Sequence, residues 1–401
     1  MFENDRLSRR ALLASGGAVF LTACARTGAV VAQGTHRSPG ASTAAERLDA
    51  IAADLPAMLA VAGVPGVSVA ILEGDHVTTR GIGVTRAGDA TAVTADTVVE
   101  AASLSKPVFA YLVLQLVSEG VIDLDRPLGD YLPLPNPSDP RAKTMTARHA
   151  LSHSTGWRNW RNSSTQALTA DFEPGSRFGY SGEGFYFLSR VVEKVTGKGI
   201  LRLTRERVFD PLGMISSSYM WSPGMDSRRA EPHTARGPAE SFGARAGRAL
   251  RDAAAAAGKS MDEWRHEDAE RFQAEVNKDQ PVLPNFLLPN VAGSLLTTAN
   301  DYAKFLRHLM SGAGWNALER MQQPQTPINT AIQWGLGVGL QSAPGPQFWH
   351  WGDNFGFKSF FVADAAARSA IAVFTNGQSG RAVYERIVRA IRGDQPAFLW
   401  I

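Results

Sequence analysis

The chain has 401 residues, 44% of them hydrophobic, and is long enough to bury a sizeable core. Its formal net charge of +3 gives no case for nucleic-acid binding. Eight histidines and a single cysteine show no metal-ligand spacing, so we expect neither a metal nor another cofactor.

The first 24 residues are typical of an export signal. Residues 8–13 read Ser-Arg-Arg-Ala-Leu-Leu, a twin-arginine form, and the apolar stretch that follows is too short to span a membrane. Residues 21–24 read Leu-Thr-Ala-Cys, which resembles a bacterial lipobox and would make Cys24 the lipidated residue. We therefore predict export to the periplasm and a stable lipid anchor in the membrane, with the outer membrane as its destination.

The segment after the signal, residues 25–43, is predicted to be a flexible tether because Gly, Ala, Ser and Thr are frequent in it. The alternative is an ordinary secretory signal cut near Ala32, which would leave no lipid on the protein. Both alternatives export the rest of the chain.

The next segments are predicted to form a helix and a hairpin. The helix spans Ala45–Ala60, while Gly66–Leu72 and His76–Gly83 alternate like two strands around a turn at 73–75. Residues 108–117 then have the apolar composition of a buried helix, which a glycine at 120 ends.

The start of that buried helix carries the first chemical signal. Ser103 and Lys106 are three residues apart, so a hydroxyl and an amine can face one cleft. Pro107 has no N–H to donate to the Ser103 carbonyl, which places Ser103 in or just before the first turn. There the free N–H groups and the helix dipole favour an alkoxide. Ser105 would point elsewhere, and we interpret it as a bystander.

A serine hydroxyl becomes a good nucleophile only when a base removes its proton. Lys106 can be that base only if it is neutral, which requires its pKa to fall from ~10.4 toward ~7–8. Desolvation beneath the helix would supply this shift.

Two later fragments supply further reactive groups. Tyr180 opens a Tyr-Ser-Gly sequence, and His350 opens a His-Trp-Gly sequence inside an aromatic run that suits a strand. Alternation would turn His350 and Gly352 toward the cleft and place Trp349 and Trp351 on the opposite face, under a covering helix. A glycine at 352 would let substrate backbone approach closely.

Together, these fragments resemble the family of serine β-lactamases, penicillin-binding proteins and related esterases, and within it the class C β-lactamase-like branch. The likeness runs from about Leu48 to Gly377. Besides the three reactive fragments, it is carried by six further blocks: residues 64–70 (VPGVSVA), 150–156 (ALSHSTG), 172–178 (FEPGSRF), 211–214 (PLGM), 292–299 (AGSLLTTA) and 334–337 (WGLG).

The resemblance implies roles for single residues. Tyr180 would be a general base and acid. Independently of the resemblance, the unperturbed pKa values of a phenol and an amine are similar, so Tyr180 and Lys106 can share one proton and should titrate as a pair. The backbone N–H groups of Ser103 and Asp353 would form the oxyanion hole. Gly182 and His350 would contribute to substrate binding.

Two positions depart from the family pattern. Gly182 replaces the asparagine that is usual in the β-lactamases, and His350 replaces a lysine that would attract a substrate carboxylate. A histidine is largely neutral above pH ~6.5 and attracts a carboxylate less well. We therefore expect an ester or amide substrate that needs no carboxylate.

Each residue also has a structural interpretation. Ser103 and Lys106 are also explained as a helix cap and a solvated helix residue, Tyr180 as a core tyrosine, and His350 as a strand histidine. Only the full set of fragments favours a site. Other residues that could belong to the pocket or to the interior are Trp157 and Trp160; His153 is interpreted as structural.

The predicted elements place this chemistry in an α+β fold. Residues 44–105 and 325–393 would form a lobe with one antiparallel sheet built from both chain ends, and residues 106–324 an inserted helical lobe. Residues 226–280 are interpreted as a surface insertion of loop plus helix Ser260–Val276 that can overhang the cleft. The later elements are strands Gly335–Leu340, Phe348–Gly352, Phe357–Ala363 and Ser369–Asn376, and helix Ala382–Ile391.

The sequence thus predicts a serine hydrolase that cleaves an ester or amide through an acyl-enzyme on Ser103. One alternative is a β-lactamase or D-amino-acid peptidase acting on cell-wall-like substrates. Another is a penicillin-binding sensor lipoprotein without turnover. The expected partners are a small ester, amide or lactam and, through the anchor, a membrane; the sequence leaves the oligomeric state open.

Overall fold

Strands from the two chain ends pair into one sheet in the computed structural model. It describes residues 42–134, 139–276, 282–312 and 316–401, and Ser42–Ile401 form one unit. The predicted signal, Cys24 and nearly all of the tether lie outside the described residues.

Twelve strands occur in the described residues. They are β1 (Gly66–Glu73), β2 (His76–Gly83), β3 (Val99–Glu100), β4 (His233–Thr234), β5 (Gly237–Pro238), β6 (Leu296–Thr297), β7 (Thr326–Pro327), β8 (Ile332–Trp334), β9 (Gly339–Gln341), β10 (Gln347–Asn354), β11 (Phe357–Asp364) and β12 (Ser369–Thr375). Eight of them form an antiparallel sheet in the order β2-β1-β12-β11-β10-β9-β8-β7. The predicted α+β fold, with a sheet built from both chain ends, is confirmed.

Helices cover both faces of this sheet and fill the segment between its two halves. They are α1 (Ala44–Ala52), α2 (Leu55–Ala62), α3 (Ser105–Ser118), α4 (Ala147–Leu151), α5 (Gly182–Thr196), α6 (Ile200–Thr204), α7 (Asp210–Leu212), α8 (Phe242–Ala256), α9 (His266–Val276), α10 (Ala299–Met310), α11 (Ala317–Met321), α12 (Gly380–Arg392) and α13 (Ala397–Trp400). Over the described stretches, no helix is both long and apolar enough to cross a bilayer.

Side chains of the central strands alternate between two hydrophobic cores. In β11, Phe360 and Val362 pack in the core that α1, α2 and α12 cover, whereas Phe361 and Ala363 pack in the core that contains α3 and α10. A strand with both faces buried has a continuous apolar sequence, as β11 and β12 do. β1, predicted from alternation, is also buried on both faces.

Two predicted elements near the chain ends are wrong in detail. The helix expected over Ala45–Ala60 is broken into α1 and α2, because Pro56 in the first turn of α2 has no N–H to continue the first helix. The strand expected over Gly335–Leu340 is instead a hairpin of β8 and β9. Its turn contains Gly337 at φ +83°, a left-handed conformation that a strand does not allow.

The segment 226–280 has more structure than the sequence indicated. It contains α8, which was missed, and the helix expected at Ser260–Val276 begins only at His266. Ser241 caps α8 by accepting a hydrogen bond from Ala244 N at 3.1 Å. Because Leu250 and Ala254 are buried on one side of α8, this helix packs against the body of the protein and is not a mobile loop.

Candidate active site

Ser103 lies in a short 3-10 turn, Ala102–Leu104, directly before α3. Ala102 has φ +51°, a conformation that side chains rarely adopt. Gly352 on β10 allows this turn to come close, since a Cβ there would clash with the Ala101 carbonyl oxygen and lie 3.0 Å from Ala102 Cβ. Gly352 therefore accommodates the nucleophile turn of the protein itself, and not substrate backbone as the sequence suggested.

Ser105 fixes the same turn to its surroundings. Its hydroxyl donates a hydrogen bond to Ala102 O at 2.5 Å and accepts one from Leu295 N at 2.9 Å. The Tyr219 hydroxyl donates to Ser105 O at 2.6 Å. Ser105 points away from the reactive group, as predicted, and supports the backbone on which Ser103 is carried.

Lys106 faces Ser103 from the first turn of α3. Its Nζ lies 3.1 Å from Ser103 Oγ and donates to Ala292 O at 2.6 Å. The side chain is only 1% exposed, and this burial lowers the pKa of Lys106 to about 7. Near neutral pH, a large part of the amine is therefore unprotonated and can accept the proton of Ser103.

Tyr180 lies beside the same pair. Lys106 Nζ is over its ring, 4.7 Å from the centroid. Burial raises the pKa of Tyr180, and the nearby Ser103 hydroxyl opposes this only in part. Burial thus moves the pKa values of lysine and tyrosine apart, and the phenol stays protonated. These opposite directions do not support a proton shared equally between Lys106 and Tyr180, which their similar unperturbed pKa values had predicted.

His153 positions the tyrosine. It is fully buried at φ +54°, its Nδ1 accepts a hydrogen bond from Ser181 N at 3.0 Å, and its ring stacks on Tyr180 with centroids 4.2 Å apart. Burial holds the pKa of His153 well below its usual value, so the ring is neutral. The expected structural role extends here to the backbone of Ser181, 28 positions away in the chain, which sequence spacing did not indicate.

His350 does not reach the cavity. It is fully buried, its Nδ1–H donates to Trp351 O at 2.7 Å, and burial together with the Lys106 charge lowers its pKa to about 3. The nucleophile turn packs on Gly352 and encloses this face of β10, so Trp351 lines the cavity and His350 does not. His350 and Gly352 therefore do not line the cavity, contrary to the expectation. Trp351 lines the cavity, but it also packs beside Trp349 against the core that α12 covers, which is the face that alternation predicted.

Of the remaining predicted binding residues, one lines the cavity and two do not. Gly182 is buried, and a Cβ at this position would lie 2.6 Å from Trp160 Cε2, so the glycine makes room for that ring and does not contact the cavity. Trp160 lines the cavity. Trp157 is 2% exposed, packs against Phe187 with centroids 5.7 Å apart and belongs to the core. The sequence left open whether these tryptophans belong to the pocket or to the interior: Trp160 belongs to the pocket and Trp157 to the interior.

Ser103, Lys106, Tyr180 and Asp353 all line one cavity of about 490 Å³. The Asp353 carboxylate pairs with Lys358 at 2.7 Å. The described part of the chain contains no cluster of three or more side chains suited to a metal ion. Other lining residues come from segments far apart in sequence: Trp221, Ser241, Phe242, Phe286, Leu288, Asn290, Gly293, Asn354 and Phe355.

Glu100 is the lining residue that sequence analysis missed. Its two carboxylate oxygens accept hydrogen bonds from Ser241 Oγ at 2.7 Å and Asn354 Nδ2 at 3.2 Å. Burial raises the pKa of Glu100, while these two donors lower it. Its position three residues before Ser103 was the one available signal, but a single acidic residue beside a motif has no specificity by itself.

Comparison with known proteins agrees with this geometry. Residues 48–393 match the protein family described as Beta-lactamase. Over 366 residues the chain is 26% identical to Penicillin-binding protein 4 of Amycolatopsis lactamdurans, covering 82% of this chain and 86% of that protein. It is also 29% identical to a lovastatin esterase of Penicillium rubens over 163 residues, which is 31% of this chain and 40% of the esterase.

The fold has solved relatives. The chain is similar to the crystal structure of a beta-lactamase/D-alanine carboxypeptidase from Pseudomonas syringae, with a TM-score of 0.68, 13% identity, and coverage of 88% of this chain and 99% of the other. A family match over most of the chain, a shared fold and a serine and a tyrosine placed around the buried Lys106 lead to one assignment. The chain belongs to the Beta-lactamase family of serine hydrolases.

Proposed function

We propose that the protein hydrolyses esters or amides that carry no obligatory carboxylate, through an acyl-enzyme on Ser103. The observation that supports this most directly is the 3.1 Å contact between Ser103 Oγ and a buried Lys106 whose pKa lies at about 7. A base whose pKa lies near the working pH is unprotonated in a large fraction of the molecules and is still basic enough to accept a proton. The esterase among the relatives supports the ester class.

In the acylation step, neutral Lys106 accepts the proton of Ser103 Oγ as this oxygen bonds to the substrate carbonyl carbon. The carbonyl oxygen becomes an oxyanion, which the Ser103 and Asp353 N–H groups would stabilise. The C–O or C–N bond to the leaving group then breaks, and the protonated phenol of Tyr180 donates a proton to that group. Lys106 returns its proton to Tyr180, which leaves both residues neutral.

Deacylation reverses these transfers. A water molecule in the cavity attacks the acyl carbon, Lys106 accepts its proton, and the bond to Ser103 Oγ breaks as that oxygen regains a proton. The products are the free acid and the original enzyme. The roles follow from the pKa directions: the amine, with its lowered pKa, is the base, and the phenol, with its raised pKa, is the acid.

The cavity lining supports a substrate without a carboxylate. Lys106 is the only Lys or Arg among the described residues that line it, while Glu100, Glu240 and Asp353 are acidic. The position at which the related β-lactamases carry a lysine is occupied by His350, which is buried and neutral. A substrate carboxylate would therefore meet Glu100, which has no ion-pair partner among the described residues, while the described lining holds no Lys or Arg other than Lys106 to attract it.

The test is hydrolysis of p-nitrophenyl butyrate by residues 42–401 beside the Ser103→Ala and Tyr180→Phe variants. We expect turnover by the wild type, loss by several orders of magnitude in Ser103→Ala, and a smaller but large loss in Tyr180→Phe. The matched control is Ser118→Ala, an exposed serine at the end of α3, which should retain activity. Faster hydrolysis of carboxylate-bearing β-lactams than of the ester would contradict the proposed substrate class.

A second candidate is favoured by the similarity to a penicillin-binding protein over most of both chains. In that case Ser103 would be acylated by a β-lactam and deacylated slowly. A stoichiometric burst of p-nitrophenol without turnover, together with stable labelling by a fluorescent penicillin, would favour this function over the esterase.

We also propose that the chain is exported and lipid-anchored through Cys24, on the sequence evidence. Full-length protein expressed in a Gram-negative host should incorporate labelled palmitate and fractionate with the outer membrane. Cys24→Ser should lose the label. Label-free soluble periplasmic protein cut near Ala32 would favour the secretory alternative.

A further inference from the structure

Glu100 occupies a place in the cavity wall that the hydrolytic steps do not use. It lies at the end of β3, three residues before the nucleophile, and it lines the cavity that contains Ser103. Three residues of chain span at most ~11 Å between Cα atoms. A group bound at Glu100 would therefore belong to the same small substrate whose carbonyl carbon is attacked by Ser103.

The other acidic side chains of the lining are already paired with cations. Glu240 lies 3.2 Å from Arg245, and Asp353 lies 2.7 Å from Lys358. Glu100 forms no such ion pair with any described residue; its oxygens accept hydrogen bonds only from the neutral groups of Ser241 and Asn354.

The one cation that acts on Glu100 from a distance is engaged elsewhere. Arg229 contributes to the electrostatics of Glu100, but it is paired with Glu231 at 2.7 Å and with Asp226 at 3.6 Å. The negative charge of an ionised Glu100 is therefore not balanced by a close protein cation.

Two donors hold this carboxylate in a fixed orientation and leave room beside it. A carboxylate has about four acceptor sites, of which the Ser241 hydroxyl and the Asn354 amide use two. Gly243 stands next to it without a side chain; an added Cβ would lie 3.1 Å from Glu100 Oε1. Burial raises the pKa of Glu100, and the donors on both oxygens oppose this by favouring the ionised form, which is the form that attracts a cation.

Aromatic side chains accompany each of these two donors. Ser241 is followed by Phe242 and Asn354 by Phe355, which are 37% and 66% exposed. Both line the cavity, and Phe242 packs beside Phe286 with ring centroids 5.0 Å apart. Large apolar side chains left this open to solvent in a monomer indicate a binding surface. Their π-faces attract organic cations, above all alkylated ammonium groups.

We propose that the substrate of this hydrolase carries an organic ammonium group, which binds between the Glu100 carboxylate and the phenylalanines that follow Ser241 and Asn354. This inference rests on the proposed ester hydrolysis and specifies its substrate class. The anionic charge of Glu100 would attract the cation, the rings would contact its alkyl groups, and the ester carbonyl would reach Ser103.

Matched esters test the proposal without any variant. Butyrylcholine and 3,3-dimethylbutyl butyrate have the same shape but differ by one positive charge on the alcohol side. The 4-(trimethylammonio)butanoate and 5,5-dimethylhexanoate p-nitrophenyl esters form the equivalent pair on the acyl side. A quaternary nitrogen prevents attack of the amine on its own ester. We expect kcat/KM, measured by pH-stat, to favour the cation by about tenfold or more in at least one pair.

The variants Glu100→Gln and Glu240→Gln locate the effect. Both remove one negative charge from the same cavity, but only Glu100 lacks an ion-pair partner. The cation-to-neutral ratio should fall to within about threefold of unity in Glu100→Gln and remain near the wild-type ratio in Glu240→Gln. Equal reduction in both variants would overturn the assignment to Glu100, because it would show a diffuse effect of net charge.

Failure of this inference is distinguishable from failure of the proposed function. If p-nitrophenyl butyrate is hydrolysed in a Ser103-dependent manner but the wild-type ratio is near one in both pairs, the ester hydrolase stands and the ammonium site is wrong. If no ester is hydrolysed, the proposed function fails and this inference fails with it. Choline should inhibit hydrolysis of p-nitrophenyl butyrate more strongly than 3,3-dimethylbutan-1-ol, and equal inhibition would also count against the site.

Discussion

The two walls of the cavity are built in different ways. The catalytic wall takes Ser103 and Lys106 from one turn of helix and holds them with short contacts to Ala292 and Ser105. The opposite wall is assembled from Glu100, the start of α8 and the end of β10, which are far apart in sequence. Local spacing encodes the first wall, so a motif reveals it, whereas tertiary packing alone creates the second.

The largest expected effect is on the catalytic wall. Lys106→Met removes the base while keeping a similar length, and we expect kcat/KM for p-nitrophenyl butyrate to fall by about 10³ or more. The same substitution should raise stability. The unfolded chain binds a proton on Lys106 up to pH 10.5, but the folded chain only up to about 7, so burial of this amine destabilises the fold.

The size of that stability effect depends on pH. The destabilisation is fully present below pH 7 and fades as the pH rises toward 10.5, so Lys106→Met should raise the Tm more at pH 6 than at pH 9. Loss of the donor to Ala292 O opposes the gain, which limits it to a few kcal/mol. An equal Tm change at both pH values would contradict a depressed pKa.

Gly352 links the sheet to the nucleophile turn and gives the next largest effect. Gly352→Ala would press a Cβ against the Ala101 carbonyl and the Ala102 side chain, displacing Ser103 from the oxyanion donors. We expect about a hundredfold loss of kcat, because small misplacements of reacting groups are costly. Gly224→Ala is the control, since an added Cβ there meets no atom within 4 Å. Retention of wild-type kcat by Gly352→Ala would contradict the close packing.

Particular residues of the site show which features the sequence predicts and which it does not. Ser103 and Lys106 were identifiable because one helical turn brings them together, and β11 and β12 because a strand buried on both faces has an apolar sequence. The role of Gly352 was misjudged because its neighbour is another part of the chain, not the substrate. Alternation along β10 predicted the side-chain faces correctly, but not that the nucleophile turn would cover the His350 face and separate it from the cavity. Glu100 had only its position three residues before Ser103, which has no specificity by itself.

The pH dependence of the catalytic wall should follow Lys106. Activity requires the neutral amine, so kcat/KM for p-nitrophenyl butyrate should be level above pH 7 and fall toward tenfold per unit below it, about 30-fold between pH 8 and 5.5. His350, with a pKa of about 3, stays neutral over this range and does not contribute. The variant Glu100→Gln should show the same decrease of kcat/KM below pH 7. If this decrease disappeared in the variant, the titration would belong to the Glu100 carboxyl and not to the Lys106 amine.

The smallest expected effects separate two tryptophans only three residues apart. Trp160 lines the cavity and Trp157 is buried against Phe187, so the same substitution should act on different quantities. Trp160→Phe should change KM by a few-fold with little change in Tm, because it alters the cavity wall. Trp157→Phe should lower stability by about 1–3 kcal/mol with KM unchanged, because it leaves a void in the core. Urea unfolding and steady-state kinetics on both variants measure the two quantities. If Trp157→Phe changed KM and Trp160→Phe changed stability instead, the boundary between core and cavity drawn here would be misplaced.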